Sequence, residues 1–431
     1  FEWRFEFPEV LNDDGDFVGF DVVIGNPPYI QLQAMKEMSE QLKRFEYATY
    51  DKTGDIYSLF YEKGNTILKE NGYLAYITSN KWMRAGYGKS TRNYFLTHTQ
   101  PQLLIDLGSG VFEEATVDSN ILIFKKQPYH KPFPAIDISK EKTIKNLNFP
   151  NDKFLTIRPQ LDQSWTIASD IEQRIKAKIE AKGKPLKEWD IQINYGIKTG
   201  YNEAFIIDGK KKDELIAQDT RSAEIIKPIL RGRDIKRYKA DFADLWLINS
   251  HNGVKEKGIP RIDVEKDYPA IYQHLKQYEP QLIKRQDKGD HWTNLRNCAY
   301  LQEFEKEKIV YPETTLKSSF FLDKKKHYVD KTGFILISKN PRYLISIFNS
   351  LFFQWTYKKL FSSVILGENG FQFNKHAFEK YPIPEISESE QQPFVALVEQ
   401  ILAKKEKGED TTALENQIDQ LVYQLYGLTE E

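Results

Sequence analysis

Between residues 20 and 126, short apolar runs alternate with stretches in which apolar residues recur at helical spacing. The apolar runs read as strands and the stretches between them as helices. The strand-like runs are FDVVIG, GYLAYITS, LLIDLG and NILIFKK, and the helical stretches are DIYSLFYEKGNTILKE and TRNYFLTH. Continuous apolar strands separated by helices predict a parallel-rich sheet covered on both faces. Ligands bind such sheets at the carboxyl ends of the strands.

Beyond residue 127 the pattern changes. Residues 128–168 are irregular and rich in proline, which predicts a connector. From residue 169 onwards, short strands, aromatic residues and basic loops follow without a strand-helix alternation. Distinct elements in this part are predicted helices at 169–183, 341–360, 388–405 and 410–426 and an extended strap at 380–387. We predict an α/β chain with a first domain at 1–127, a second, mixed domain at 169–386, and C-terminal helices at 387–431 that pack on the second domain.

The composition limits the class of protein. A length of 431 residues allows two or three domains, and 40% hydrophobic with 29% charged residues is typical of a soluble globular chain. No apolar stretch reaches the roughly 18 residues that a membrane span needs. The single cysteine, Cys298, excludes a disulfide framework and fits the cytoplasm, and the seven histidines show no metal-binding spacing. We therefore predict a cytoplasmic protein without a metal site.

Charge changes this picture only locally. A net charge of −1 argues against a uniformly basic surface. Basic runs nevertheless fall between residues 200 and 330, namely Lys210–Lys212, 231–239, 283–289 and Lys324–Lys326. Each run alone is typical of a solvated loop or helix face. Their shared region favours the interpretation that some of them converge on phosphate.

The strongest chemical signal is NPPY, which directly follows the first strand-like run. Asn26 supplies an amide oxygen, and Pro27 and Pro28 fix the backbone and remove two N–H donors, so this corner accepts hydrogen bonds without donating them. Its complement is a group with two donors, such as an exocyclic NH₂. The ring of Tyr29 suits stacking on a planar heterocycle, which contributes roughly 1 to 3 kcal/mol. A plain turn with an aromatic cap is the alternative, but the position at a strand's carboxyl end favours a binding role.

The segment FDVVIGNPPYI resembles the catalytic motif of amino-group DNA methyltransferases that use S-adenosylmethionine, and its Asn-initial form resembles the adenine-N6 class. Two later segments, 72–95 and 104–124, resemble the next blocks of these enzymes. Further segments resemble the target-recognition region of the Eco57I-like and TaqI-like restriction-modification enzymes, namely GIKTGYNEAFII, IIKPILRGRDIKRY, YLISIFNSLFFQW and the C-terminal end. The resemblance implies a partial Rossmann-like methyltransferase sheet followed by a target-recognition domain.

By this resemblance, Asn26, Pro27 and Pro28 would form the catalytic corner that binds the target amine, and Tyr29 would stack on an extruded adenine. Phe112, in GVFEEATV, would match a second aromatic wall, although a core residue is its alternative reading. Such a reaction requires the base to leave the duplex stack. The resemblance therefore implies double-stranded DNA as the partner and S-adenosylmethionine as the cofactor.

The family's cofactor loop normally lies well upstream of NPPY, and the 25 residues before Asn26 contain no acidic, glycine-rich loop after a strand. The chain also begins at Phe1 without a methionine or a signal region, so we expect an interior piece of a longer protein. The strand before Asn26 would then be an exposed apolar edge. Another chain, self-pairing or a reduced sheet could satisfy that edge. In each case we expect S-adenosylmethionine to bind this chain weakly or not at all.

For DNA recognition, the candidates lie on predicted loops and short strands. Arginine suits bidentate contact to guanine or phosphate, and lysine suits phosphate. The candidates are Lys198, Thr199, Asn202, Arg231, Arg233, Lys236 and Arg237. An internal pairing of Arg231 or Arg233 with Asp234 is the alternative for the RGRD turn. Two functions stay open: part of an adenine-N6 DNA methyltransferase, or a catalytically inactive module for DNA sequence recognition.

Overall fold

A computed structural model of the chain describes residues 3–108, 110–112, 117–139, 149–362, 364, 366 and 370–428. The chain divides into two compact units. The first comprises residues 1–176 with 363–368, and the second comprises 177–362 with 369–431. None of the described helices is both long enough and apolar enough to cross a membrane.

The first unit is built on a six-stranded sheet. Its strands are β1 (Phe20–Gly25), β2 (Leu68–Ser79), β3 (Gln100–Gly108), β4 (Ser119–Lys125), β5 (Phe133–Asp137) and β6 (Leu155–Ile157). Its helices are α1 (Trp3–Glu6), α2 (Glu37–Lys43), α3 (Tyr57–Ile67), α4 (Lys89–His98) and α5 (Asp170–Lys182), and the division between the units falls within α5.

The sheet is mixed, so the expectation of a parallel-rich sheet was wrong. The strand order is β1-β2-β4-β3-β5-β6. β1 pairs with β2 and β3 with β5 in parallel, whereas β4 is antiparallel to both of its neighbours and β6 is antiparallel to β5. The segment between β3 and β4 is shorter than the dozen or more residues that a parallel crossover needs, which accounts for their antiparallel pairing. An α/β sheet of the expected class is nevertheless present.

One face of this sheet is well covered. Leu74 and Tyr76 of β2 and Phe124 of β4 point toward α3 and α4, where they pack with Tyr61 and Phe95. Tyr61 lies edge-on to Phe95 at a ring-centroid distance of 4.9 Å. These side chains are at most 7% exposed. This face is the hydrophobic core of the first unit.

The other face is only partly covered, which corrects the expectation that both faces are buried. β1 is an edge strand, as predicted, and Val22 and Ile24 on it are 58% and 80% exposed. Tyr73, which is paired with Val22 on β2, is 42% exposed. A smaller cluster around Ile105 and Ile136 covers the opposite end of the same face. The apolar surface around β1 therefore remains open to solvent.

The segment predicted as a connector contributes to the same sheet. β5 and β6 both lie within residues 128–168, and β5 pairs with the central strand β3 through Leu104, Ile105 and Asp106. Trp165, from the end of this segment, is 1% exposed and packs against Trp82. Pro132 precedes β5, and Pro134 lies within it opposite Thr156 of β6, so the prolines of this segment do not prevent pairing. The proline-rich composition therefore concealed these strands.

The second unit contains several small sheets. Its strands are β7 (Lys184–Pro185), β8 (Ile191–Tyr195), β9 (Ile206–Asp208), β10 (Ile226–Leu230), β11 (Ile235–Lys236), β12 (Lys239–Ala240), β13 (Leu245–Ile248), β14 (Lys308–Pro312), β15 (Thr314–Thr315), β16 (Phe321–Asp323), β17 (Tyr328–Val329), β18 (Gly333–Ser338), β19 (Phe371–Gln372) and β20 (Pro382–Ile383). Two four-stranded sheets have the orders β17-β10-β13-β9 and β16-β14-β18-β8.

The helices of the second unit are α6 (Asn202–Phe205), α7 (Gly209–Gln218), α8 (Ser222–Ile225), α9 (Val264–Asp267), α10 (Pro269–Lys276), α11 (Glu279–Lys284), α12 (Pro341–Phe348), α13 (Leu351–Thr356), α14 (Lys375–Phe378), α15 (Glu388–Glu406) and α16 (Thr412–Leu425). The single helix predicted at 341–360 is broken because Ser350 caps a new helix by accepting a hydrogen bond from the Phe353 N–H. α15 and α16 confirm the two predicted C-terminal helices, and α15 packs on α12 of the second unit.

Candidate functional site

The NPPY segment lies where the sequence places it, at the carboxyl end of a strand. β1 runs parallel to β2, with Gly25 opposite Tyr76, and Asn26 follows directly. Because β4 is antiparallel to both β2 and β3, the strands β1, β2, β3 and β5 all end at the same edge of the sheet. This edge is the expected ligand-binding edge of an α/β sheet.

The first three residues of the segment differ in exposure, and two of their acceptors have no partner in the described part of the chain. Asn26 and Pro28 are exposed, and Pro27 between them is buried. Within the described part of the chain, no group donates a hydrogen bond to the Asn26 side chain or to the Pro27 carbonyl. The exposed Asn26 side chain is therefore accessible to an external donor, whereas Pro27 is a buried residue.

The chain that follows NPPY is held by a second strand-like segment. The Ile56 N–H donates to the Ile30 carbonyl at 2.9 Å, and the Leu32 N–H donates to the Gly54 carbonyl at 2.8 Å. Leu32 is fully buried. These contacts fix the backbone on the carboxyl side of Tyr29, so the tetrapeptide is anchored at both of its ends.

Tyr29 is half-buried and has a defined orientation. Its hydroxyl donates to the Ile77 carbonyl at 3.1 Å, and burial raises the pKa of Tyr29 to about 12. Its ring lies edge-on to Tyr57 at a centroid distance of 6.0 Å. The phenol therefore stays neutral at physiological pH and serves as a flat surface.

Phe112, the predicted second aromatic wall, lies beside Tyr29. Their ring centroids are 6.3 Å apart with an interplanar angle of 68°. The fold thus brings together two residues that are distant in the sequence. The rings contact one another directly, so a planar ligand between them requires them to separate and turn parallel. A stacking role for Phe112 stays a prediction.

A buried carboxylate at the same edge was not anticipated. Asp106, at the end of β3, accepts hydrogen bonds from the Asn80 side-chain amide at 2.9 Å and from the Gly108 N–H at 3.2 Å. Burial, followed by the nearby charge of Asp137, raises the pKa of Asp106. Through these two hydrogen bonds, the Asp106 carboxylate connects the end of β2 with the start of the loop that carries Phe112. A charged residue inside the apolar run LLIDLG was the available signal.

The DNA-binding candidates on the 198–202 turn differ in their exposure to solvent. Lys198 and Asn202 are exposed. Thr199 is 2% exposed, and its hydroxyl donates to the Asn202 side-chain oxygen at 2.5 Å. Thr199 therefore stabilises the turn, and Lys198 and Asn202 remain accessible.

The second group of candidates divides in the same way. Arg231 donates two hydrogen bonds to Asp234, at 2.9 and 2.8 Å, which confirms the alternative of an internal pairing for Arg231. Arg237 pairs with Glu415 at 2.8 Å. Arg233 and Lys236 are exposed, and the Lys236 ammonium donates to the Arg233 carbonyl at 2.6 Å. DNA contact by the exposed members stays a prediction.

Two of the basic runs are largely neutralised by carboxylates. Lys211 pairs with Glu214, and Lys212 pairs with Asp213 at 3.1 Å. In the other run, Lys324 and Lys326 lie 3.7 and 3.8 Å from glutamates. Exposed ion pairs of this kind are typical of solvated surfaces. These runs therefore behave as solvated surface and do not form an isolated basic patch.

The described residues before β1 do not form the glycine-rich turn that the family resemblance implies for S-adenosylmethionine. Before β1, residues 3–19 provide a short helix, a turn at Pro8–Val10 and a bridge between Leu11 and Phe17. Within these residues, no strand ends in a glycine-rich turn beside the carboxyl end of β1. No catalytic step through the cofactor follows from these residues alone.

Comparison with known families gives two matches along the chain. Residues 1–112 match the family of Eco57I restriction-modification methylases, and residues 227–383 match the TaqI-like C-terminal specificity domain. The first match contains NPPY and Phe112, and the second contains Arg231, Arg233, Lys236 and Arg237.

Similar proteins include the type II methyltransferase M.BstVI of Geobacillus stearothermophilus, which is 24% identical over 70% of this chain and 56% of its own length. The type II methyltransferase M.PaeR7I of Pseudomonas aeruginosa is 24% identical over 59% of this chain and 45% of its own length. The type IIL restriction-modification enzyme MmeI, solved in complex with DNA, has a TM-score of 0.64 and 13% identity over 95% of this chain and 55% of that structure. This chain spans about half the length of these proteins. Its residues 1–112 are therefore similar to an Eco57I restriction-modification methylase, and its residues 227–383 are similar to a TaqI-like C-terminal specificity domain.

Proposed function

We propose that this chain supplies the target-base site and the sequence recognition of an adenine-N6 DNA methyltransferase in a restriction-modification system. The observation that carries the proposal is the position of Asn26, Pro27, Pro28 and Tyr29 at the ligand-binding edge of the sheet, with the ring of Phe112 beside Tyr29. The matches to methylase and specificity families support it.

The chemistry of the base site follows from its acceptors. The Asn26 side-chain oxygen and the Pro27 carbonyl accept the two hydrogens of an exocyclic amine. This arrangement favours a pyramidal nitrogen, whose lone pair is less delocalised into the ring, and the contribution is positional and electrostatic. The prolines keep the carbonyls in place because their ring restricts the backbone.

Base extrusion gives the aromatic residues their role. A base inside the duplex is out of reach of an enzyme, so the target adenine must leave the stack and be held between flat surfaces. In this proposal Tyr29 provides one surface, because its hydroxyl is already held by Ile77. Phe112 provides the second surface after the two rings separate.

Sequence recognition is assigned to the second unit. The TaqI-like match lies there, and MmeI, which shares the fold, was solved in complex with DNA. Among the predicted residues, Lys198, Asn202, Arg233 and Lys236 face solvent and are proposed to contact double-stranded DNA. Thr199, Arg231 and Arg237 are proposed to act by holding the contacting turns in place.

We further propose that another polypeptide segment or a separate subunit completes the first unit and carries most of the S-adenosylmethionine site. The edge strand β1 and the exposed side chains of Val22, Ile24 and Tyr73 support this view, because an open apolar edge of this kind favours pairing with a further strand. The isolated chain is therefore expected to transfer no methyl group to DNA. Incubating the chain with DNA and a labelled methyl donor tests this, and label on adenine without any added subunit would contradict it.

The role of Asn26 is tested in the completed enzyme, in which the chain is combined with its cofactor-binding portion. Asn26→Ala should abolish methyl transfer and leave DNA affinity largely unchanged, because only the amine contact is lost. Asn151→Ala, an exposed asparagine of the same unit, is the matched control and should retain activity. Retained transfer by Asn26→Ala would refute the assigned role.

A DNA sequence-recognition module without catalysis is the second candidate. The well-packed second unit favours it, because that unit buries its own core whereas the first unit leaves its edge strand open. Methyl transfer by the completed enzyme distinguishes the methyltransferase from the recognition module. Sequence-specific DNA binding together with no methyl transfer by the completed enzyme would support the module.

A further inference from the structure

Three turns of the second unit lie side by side, although more than 130 residues separate the first from the last. They comprise residues 196–199, 231–234 and 330–333, and we call them the three-turn surface. The Ile197 N–H donates to the Val329 carbonyl at 2.7 Å, and the Gly196 N–H donates to the Gly333 carbonyl at 2.9 Å. The Gly232 N–H donates to the Thr332 hydroxyl at 2.7 Å. The 330–333 turn therefore joins the other two.

Two glycines allow this close approach. A Cβ atom on Gly196 would lie 1.8 Å from the Asp330 carbonyl oxygen, and one on Gly232 would lie 2.6 Å from the Thr332 carbonyl oxygen. Neither position accepts a side chain unless the backbone moves. The relative placement of the three turns is therefore fixed by backbone contact.

The acidic groups of these turns are used internally. Asp234 is 6% exposed and binds Arg231 through both carboxylate oxygens. Asp330 is also 6% exposed and accepts hydrogen bonds from the Thr332 N–H and hydroxyl. The burial of both carboxylates leaves the outward charge of the surface to its cations.

The cations of the turns, in contrast to the carboxylates, are exposed. Lys198, Arg233 and Lys331 are all exposed, one on each turn. None of the three forms an ion pair with a carboxylate of the described residues. A surface that buries its carboxylates and exposes its cations attracts a polyanion.

We propose that Lys331, together with Lys198 and Arg233, binds the phosphate backbone of duplex DNA. This inference rests on the proposed function and adds to it a third turn and a residue, Lys331, that sequence reasoning did not single out. One cation on each of three fixed turns suits successive phosphates, because phosphate contacts set the position of a protein on DNA without reading its sequence. The surface therefore contributes affinity and register, and base reading is left to other residues.

Salt dependence tests the proposal. Affinity of the 431-residue chain for duplex DNA is measured over a series of salt concentrations, for the wild type, for each of Lys198→Gln, Arg233→Gln and Lys331→Gln, and for the triple variant. Each phosphate contact contributes about 0.9 to the slope of log affinity against log salt concentration. Lys331→Gln should therefore make the slope less steep by about 0.9, and the triple variant by about 2.7. The loss of affinity should be equal for specific and unrelated DNA sequences.

Lys407→Gln is the matched control, because Lys407 is an exposed lysine on the loop between α15 and α16. Its slope should equal that of the wild type, and circular dichroism should show that all variants are folded. If the wild type binds DNA and Lys331→Gln has the same slope of log affinity against log salt concentration, this inference is overturned. The proposed function is not affected by that result. A wild-type chain that shows no salt-dependent DNA binding overturns both.

Discussion

The two units differ in how completely they bury their apolar side chains. In the first unit, Ile24 is 80% exposed on the strand that leads into NPPY. In the second unit, Phe320 is fully buried and packs against five other aromatic rings at centroid distances of 4.9 to 5.9 Å. Apolar burial is the main favourable term in folding, so the second unit has a closed core that the first unit lacks around β1.

The difference has a functional meaning. Asn26, Pro27, Pro28 and Tyr29, which are proposed to bind the target base, directly follow β1, and no residue of β1 is fully buried. The proposed DNA contacts instead lie on turns held by buried side chains. A completed sheet would bury Val22 and Ile24 and would also fix the strand that carries Asn26. Under the proposed function, we expect recognition to be intrinsic to this chain and catalysis to depend on a further segment.

The largest expected effect is the loss of a core ring in the second unit. Phe320→Ala removes the side chain at the centre of its aromatic cluster and should lower the free energy of unfolding of this unit by about 3 to 5 kcal/mol. Hydrogen exchange with mass spectrometry reports on the two units separately. Phe45→Ala, at a phenylalanine that is 71% exposed in the first unit, is the control and should have little effect. Equal losses of unfolding free energy in Phe320→Ala and Phe45→Ala would contradict the difference in apolar burial between the two units.

Acid should change the stabilising contributions of two buried aspartates, one in each unit, in opposite directions. In the second unit, burial by itself raises the pKa of Asp323, but hydrogen bonds from His327 and from the buried Lys308 outweigh it and hold the pKa below its ordinary value. The charged form is therefore favoured by folding. The stability that Asp323 contributes is complete above its ordinary pKa and is lost as the pH falls through its folded pKa, by up to about 1.4 kcal/mol per pH unit between the two values.

In the first unit, Asp106 has the reverse shift. Burial raises its pKa, so folding favours the protonated form. Its stabilising contribution is present below the ordinary pKa of aspartate and is lost as the pH rises through the folded pKa. Hydrogen exchange measured from pH 3 to 7 should show that acid removes the stabilising contribution of Asp323 and restores that of Asp106. Asp106→Asn should weaken the response of the first unit and leave that of the second unchanged, because burial also raises the pKa of Asp118 in the first unit. An unchanged response of the first unit in Asp106→Asn would contradict the assignment.

The smallest expected effect concerns the exposed strand. Ile24→Lys should change the stability of the isolated chain by less than about 0.5 kcal/mol, because the side chain is already in water. It should also reduce self-association, since a charge on an edge strand opposes pairing. Sedimentation and thermal unfolding measure both. A loss of several kcal/mol would mean that the strand is buried in solution.

Local patterns in the sequence were sufficient for several features. The apolar run before Asn26 predicts β1, and NPPY lies at its carboxyl end. Helical spacing predicts α5, α15 and α16 within a few residues of their bounds. These features depend on neighbours within one or two turns of chain, where periodicity and breakers act directly. The sequence also singled out the exposed Lys198 and Arg233, and it kept an internal pairing of the RGRD turn open.

Other features required contacts between distant residues. Strand direction around β4, the inclusion of β5 in the sheet, and the contact of Tyr29 with Phe112 depend on pairings that no local pattern specifies. The same holds for the division between paired and exposed arginines, and for the place of Lys331 beside residues about a hundred positions away. The sequence by itself determined the chemistry that the chain carries. Only the tertiary structure decided which of those groups share a surface, because burial and pairing across the fold select the side chains that remain free to bind.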